Sequence, residues 1–290
     1  MDYDLKLHDF QSLFSLKGKI AVITGGSRGL GLSAASAILQ AGGSKVYISS
    51  RKKAACDAAV AALNQLPGLA PGARAVSVPA DIATEEGVRQ LAAAVQQDSP
   101  EGIDILLANA GATWGEAFDT HPDAAFAKVL DLNVRAVFNT VRVFAPQLQR
   151  RGTVADPSRV LVTGSVAGLG IGTLGQQATF GYSASKAAVI HLARNLAVEL
   201  GPRHLTVNAL APGFFPTKMS QGLLSMAPGG LAGVAEKNPM RRLGQPEDFA
   251  GAVVYLCARA GAHVNGATLA IDGGAMWATG ELMSVNAAKL

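Results

Sequence analysis

The sequence predicts a single α/β domain: a doubly wound, seven-stranded parallel sheet with helices on both faces. Three observations carry this expectation. Short apolar runs alternate with helix-forming segments along nearly the whole chain, and no tight hairpin turns join them, which calls for parallel strands connected by helices. No internal stretch is long or polar enough to mark a domain boundary, so residues 1–290 read as one domain. With 290 residues, 49% of them apolar and 16% charged, there is ample material for one large core.

In chain order, a polar extension over residues 1–15 precedes Lys19–Thr24, a strand-forming run. Gly25-Gly-Ser-Arg-Gly-Leu-Gly31 follows and opens an Ala-rich helix that ends near Gln40. Glycines in such a strand–turn–helix let the backbone approach a ligand, and the helix N-terminus offers N–H groups and positive dipole to a pyrophosphate. The spacing is G-x-x-x-G-x-G rather than the commoner G-x-G-x-x-G. Lys45–Ser49 is the second strand, a helix runs from about Lys52 to Leu66, and Ala75–Val78 is a third strand leading to Asp81. Thr84 is placed to cap a helix reaching Gln97, before the strand Ile103–Leu107. A long helical region from Pro122 to Arg150 is interrupted near Asn133. The strand Arg159–Thr163, a helix through Tyr182 to about Leu200, and the strands Thr206–Leu210 and Ala267–Ile271 complete the sheet. Residues 213–239, rich in Gly, Met and Leu without a clean period, read as a substrate lid, and residues 276–290 as a tail.

The formal charge is +4, but the cations are scattered, in clusters no longer than Arg51-Lys52-Lys53, Arg150-Arg151 or Arg241-Arg242. That argues against nucleic acid and for an anionic small molecule. Cys56 and Cys257 lie far apart with no second ligand at metal spacing, so no metal is expected and the thiols read as buried ones in a reducing compartment. The N-terminus is acidic and lacks an apolar h-region, and no run approaches a membrane span, so a soluble, unsecreted protein with no membrane partner is expected. The terminal Ala288-Lys289-Leu290 is similar to the Ser-Lys-Leu peroxisomal address, which leaves cytoplasm and peroxisome as the expected locations.

Chemistry concentrates at Tyr182-Ser-Ala-Ser-Lys186. Residues four apart on a helix share a face, and an ammonium beside a phenol favours phenolate, turning an ordinarily inert tyrosine into an acid/base group. Ser165 ends a strand, where ligands bind in doubly wound sheets. Alone, a Tyr-x-x-x-Lys pair is far more often the surface of an amphipathic helix; the remaining motifs decide.

From about residue 18 to residue 275 the chain resembles the short-chain dehydrogenase/reductase family. The likeness rests on Thr24-Gly-x-x-x-Gly29-x-Gly31, on Ala108-Asn109-Ala-Gly111 (with Ala108 where the family pattern has Asn), and on Asn133, Ser165, Tyr182/Lys186 and Pro212-Gly213 with Thr217. The resemblance implies a Rossmann fold, a nicotinamide cofactor and an Asn133, Ser165, Tyr182, Lys186 tetrad. In it Ser165 polarises a carbonyl, Tyr182 protonates it, Lys186 lowers the tyrosine pKa and binds the nicotinamide ribose, and Asn133 anchors a water leading to the lysine. It further implies a cofactor site made by Gly25, Ser27, Arg28, Gly29, Leu30, Gly31, Arg51, Asp81, Ile82, Asn109, Ala110, Gly111, Tyr182, Lys186, Pro212, Gly213, Phe215 and Thr217. Asp81 would meet the adenine amino group, and Pro212, Gly213 and Thr217 the carboxamide. A homotetramer or homodimer is implied, built on the helices around 133–150 and 182–200 with the segment after Ala267 near another interface.

Cofactor choice follows from the residues after the second strand. Sites for NAD place a carboxylate there for the ribose 2′-OH, whereas this chain has Ser49-Ser50-Arg51-Lys52, and Arg28 adds a second guanidinium from the glycine turn, so NADP(H) is expected. The expected pocket wall is Trp114, Leu169, Ile171, Leu174, Phe214 and Phe215, with Met219, Leu223, Leu224 and Met226 from the lid. It is too apolar for a bare polyol and suits a ketone/alcohol pair with an apolar body. Within the family the chain is most similar to NADPH-dependent 3-oxoacyl reductases, the rhamnolipid-pathway type included, on Ala-Gly-Ala-Thr-Trp114-Gly, Gly164-Ser-Val-Ala-Gly168 and Phe215-Pro-Thr-Lys-Met219. A nicotinamide-linked polyol or sugar dehydrogenase and a non-catalytic NADP(H)-sensing module are the alternatives.

Overall fold

The computed structural model describes residues 9–218, 220 and 229–278. Residues 1–8 of the N-terminal extension, Met219, Leu223, Leu224 and Met226 of the expected lid, and residues 279–290 of the tail, with Ala288-Lys289-Leu290, lie outside them.

Seven strands form one parallel sheet: β1 (Ile20–Thr24), β2 (Lys45–Ser49), β3 (Arg74–Ser77), β4 (Ile105–Ala108), β5 (Ser158–Thr163), β6 (Leu205–Pro212) and β7 (Thr268–Ile271). Their order is β3-β2-β1-β4-β5-β6-β7, with every neighbouring pair parallel. The connections are α1 (Gly29–Gln40), α2 (Lys53–Leu63), α3 (Glu85–Asp98), α4 (Asp123–Leu130), α5 (Ala136–Gln149), α6 (Phe180–Leu200), α7 (Gly230–Lys237) and α8 (Pro246–Cys257). This is the expected doubly wound Rossmann architecture. From β1 the chain winds one way to β2 and β3, then crosses back to β4 and winds the other way. That topological switch point opens a crevice beyond the carboxyl ends of β1 and β4.

Alternate residues of each strand enter opposite cores. Val22, Leu106, Val160 and Val207 face α3, α5 and α6, whereas Ile23, Leu107, Leu161 and Leu210 face α1, α2 and α8. Because both faces are covered, the strands read as continuous apolar runs. None of the described helices is long and apolar enough to cross a membrane.

Three elements differ from the sequence-based expectation. The interruption near Asn133 is no break: residues Asp131–Arg135 form a π-helical turn that joins α4 to α5, with the Ala136 N–H donating to the Asp131 carbonyl five residues back. The lid region contains a helix, α7, introduced by Gly229 in the left-handed conformation at φ +74°. Part of the N-terminal extension is tied down, with Ala260 N–H donating to the Leu13 carbonyl at 3.0 Å, just ahead of the buried Leu16. Thr84 caps α3 as expected, its Oγ1 accepting from Gly87 N–H at 3.1 Å.

Candidate active site

The glycine turn leaves the end of β1 at Gly25, whose φ of +67° is left-handed. A Cβ there would lie 2.9 Å from Ala110 Cα, and one on Gly31 would lie 2.5 Å from the Gly25 carbonyl oxygen. These two glycines therefore let the turn, α1 and the loop after β4 close on one another. Arg28 is the N-cap of α1 in extended conformation, and no side chain caps that helix. The amides of its first turn are left to a ligand. Asn109 holds the strand ends together: its Nδ2 donates to the carbonyls of Thr24 and Gly25, both at 3.2 Å, and its Oδ1 accepts from Thr163 Oγ1 at 3.1 Å.

A cavity of about 1030 Å³ fills the crevice. Of the residues expected to bind cofactor, Gly25, Ser27, Arg28, Gly29, Leu30, Arg51, Asp81, Ile82, Asn109, Ala110, Gly111, Tyr182, Lys186, Pro212, Gly213, Phe215 and Thr217 all border it. Gly31 does not; it lies behind the turn, where its missing side chain serves packing. At one end the cavity is bordered by Ser49, Ser50, Arg51 and Lys52 together with Arg28. None of these three cations forms an ion pair among the described residues.

Beyond the ends of β5 and β6 the cavity reaches Ser165, Tyr182 and Lys186. Tyr182 and Lys186 stand one turn apart on α6, with Lys186 Nζ 5.5 Å from the Tyr182 ring centroid and donating to the Thr163 carbonyl at 2.7 Å. Ser165 caps the short turn Val166–Gly168, its Oγ accepting from Ala167 N–H at 3.2 Å. Gly168 presses that turn onto α6: a Cβ on it would lie 2.5 Å from the Lys186 carbonyl carbon and 2.6 Å from Ala187 N.

Burial governs the ionisation of both groups. It pushes the Tyr182 phenol above its ordinary value, opposed by the neighbouring Ser165 hydroxyl, and pushes the Lys186 ammonium down to about 8. The sequence expects Lys186 to lower the tyrosine pKa; the structure instead has burial raise it, so the phenol keeps its proton. A protonated phenol beside a serine hydroxyl can polarise and protonate a carbonyl oxygen.

Asn133 does not border the cavity. The π turn drives its side chain inward, where Nδ2 donates to the Ala112 carbonyl and to Ser185 Oγ, both at 2.9 Å, while Oδ1 accepts from Ala112 N–H at 2.9 Å. Both N–H bonds of the amide are committed, so a water held by this side chain would have to donate to Oδ1.

The sequence matches, over residues 25–276, the family profile described as Enoyl-(Acyl carrier protein) reductase. It is 40% identical over 261 residues to the rhamnolipids biosynthesis 3-oxoacyl-[acyl-carrier-protein] reductase of Pseudomonas aeruginosa, covering 90% of this chain and 97% of that one. The chain belongs to the short-chain dehydrogenase/reductase family. Another relative, dehydrogenase/reductase SDR family member 4 of Oryctolagus cuniculus, is 34% identical over 266 residues, 90% of this chain and 94% of that one. Among solved structures, the Pseudomonas aeruginosa RhlG/NADP active-site complex superposes with a TM-score of 0.83 at 38% identity, covering 93% of this chain and all of that one.

In this short-chain dehydrogenase/reductase the expected apolar wall divides. Ile171 and Phe214 border the cavity, while Trp114, Leu169 and Leu174 are exposed without lining it. Phe215 borders it, but its ring is buried against Phe249, 6.3 Å between centroids, and fills the space beside Gly244. Sequence reasoning missed a stripe from α4 and the π turn, with Ala124, Ala127, Lys128, Asp131 and Arg135 bordering the cavity. Their helical spacing, at 124, 127, 128, 131 and 135, was its available signal.

Proposed function

We propose that this short-chain dehydrogenase/reductase is an NADPH-dependent carbonyl reductase that acts on a 3-oxoacyl or similarly apolar ketone, with Tyr182 as proton donor. The observation that carries the reading is one cavity with Ser165, Tyr182 and Lys186 at one end and the three cations Arg28, Arg51 and Lys52 at the other. The residues fit a nicotinamide dinucleotide phosphate. Uncapped α1 and the glycine turn would take its pyrophosphate, Arg28, Arg51 and Lys52 its 2′-phosphate, Asp81 and Ile82 its adenine, and Pro212, Gly213 and Thr217 its carboxamide. When bound, that cofactor supplies the hydride. Ser165 holds the ketone oxygen, Tyr182 gives it a proton, and Lys186 stands against the tyrosine ring to balance the charge left behind. Asn133 acts from behind, holding the loop after β4 against α6.

The apolar rim of Ile171 and Phe214 supports a substrate with an apolar body, as does the likeness to a 3-oxoacyl-[acyl-carrier-protein] reductase. A gluconate 5-dehydrogenase of Burkholderia cenocepacia, in complex with NADP and tartrate, shares the fold at 26% identity with a TM-score of 0.80, which keeps a sugar acid as the second reading. A panel of 3-oxoacyl thioesters, aromatic ketones, ketoses and keto sugar acids assayed by NADPH consumption tests both: thioesters should be reduced fastest, and preference for a ketose or a keto sugar acid would overturn the first reading. Exposed Phe138 on α5 and Val198 on α6 support assembly as a homotetramer or homodimer through those helices. A stable monomer on sedimentation at micromolar concentration would contradict that assembly.

A further inference from the structure

We propose that Ser185 is a positioning residue for Tyr182, the link through which the π turn fixes the tyrosine helix against the loop after β4. The inference rests on the reading of Tyr182 as proton donor. Ser185 lies between the acid and its lysine on α6, is fully buried, and does not border the cavity. Its Oγ accepts from Asn133 Nδ2 at 2.9 Å and donates to the Tyr182 carbonyl at 2.7 Å. Asn133 in turn grips both the N–H and the carbonyl of Ala112 at 2.9 Å. An unbroken run of hydrogen bonds thus leads from the backbone beside Gly111, on the cavity wall, to the backbone of the tyrosine.

The hydroxyl has no packing reason to be there. At a fully buried position inside a helix, alanine has the better propensity and leaves no polar group to satisfy. Serine is retained where both its donor and its acceptor capacity are used, and where one partner is the inward-facing residue of a π turn, an element that sacrifices regular helix geometry and clusters at functional sites. Gly111 bears on the same point: a Cβ on it would meet Asn133 Oδ1 at 3.0 Å and Lys186 Nζ at 3.6 Å. The amide oxygen and the ammonium therefore both border the space that a side chain on Gly111 would fill. A small displacement of α6 alters where the phenol and the lysine stand relative to Ser165, and proton transfer is sensitive to such displacements.

The test compares the full-length parent with Ser185→Ala, Asn133→Ala and the double variant. Three quantities are read: turnover of a medium-chain 3-oxoacyl-coenzyme A with NADPH, NADPH affinity by fluorescence titration, and the ultraviolet titration of the Tyr182 phenol against a Tyr182→Phe blank. Ser185→Ala should lower kcat roughly ten- to a hundredfold, as expected for a misplaced reacting group. NADPH affinity should stay within about twofold, and the Tyr182 titration should move down toward the ordinary phenol value. Adding Ser185→Ala to Asn133→Ala should cost no more than Asn133→Ala alone, because both cut the same run. A folded Ser185→Ala with unchanged turnover and unchanged Tyr182 titration overturns the proposal, as do losses that multiply in the double variant. The two readings fail separately. An active Tyr182→Phe removes the proton-donor reading itself, whereas an inactive Tyr182→Phe beside an unimpaired Ser185→Ala removes only the role of Ser185.

Discussion

Replacing Lys186 with methionine should abolish activity and yet make the ligand-free fold harder to unfold at neutral pH. Burial pushes this ammonium from 10.5 down to about 8. At ~1.4 kcal/mol per pH unit, keeping it protonated inside the fold costs about 3 kcal/mol below pH 8. Between about 8 and 10.5 the unfolded chain holds a proton that the folded chain has released, so stability rises with pH across that window; the cost is complete below it and gone above it. Methionine keeps the length of the side chain without the charge. One loss opposes the gain, since the Thr163 carbonyl surrenders its 2.7 Å donor, worth about 1 kcal/mol. The variant should therefore be more stable by about 2 kcal/mol near pH 7, with the advantage shrinking through zero toward pH 10. Urea unfolding of both proteins side by side, from about pH 7 to about pH 9.5, measures the difference, in which groups common to both largely cancel. A difference that does not change with pH, or a methionine variant less stable at pH 7, would refute the reasoning.

With Arg28, Arg51 and Lys52 at the cavity end, the parent should prefer NADPH over NADH by about tenfold or more, and Arg51→Asp should reverse the order in affinity titrations; equal binding of both by the parent contradicts this. Gly168→Ala forces a Cβ onto the backbone of Lys186 and should shift Ser165 away from α6, lowering kcat by roughly tenfold or more; unchanged kinetics would show that the turn yields. Ser165→Ala should lower turnover with NADPH affinity unchanged, and a loss of affinity instead would move the hydroxyl's role to the cofactor.

The fold was legible because buried parallel strands are written as uninterrupted apolar runs, and the Tyr182/Lys186 pair because helical spacing of four is visible in any sequence. Boundaries blurred where a polar residue interrupts such a run. Asp104 falls inside the expected fourth strand, but its carboxylate accepts from Ile20 N–H at 2.8 Å and faces Lys19 and Arg151, and β4 begins only at Ile105. A glycine motif does not reveal which glycine borders the cavity and which makes room for backbone, as Gly31 does. Aromatic identity does not reveal direction, hence Phe215, whose ring turns into the core. Above all, sequence neighbours display charge but not dehydration. The upward shift of Tyr182 comes from its burial in the folded chain, and no local pattern spells that out.

The most direct test of Tyr182 as the acid is Tyr182→Phe, which keeps the ring in place and removes the proton. Steady-state turnover with NADPH and the best ketone of the panel should fall by ~10² to 10⁴ while NADPH affinity holds. A folded Tyr182→Phe protein that binds NADPH and still reduces its ketone within about tenfold of the parent rate would contradict the account.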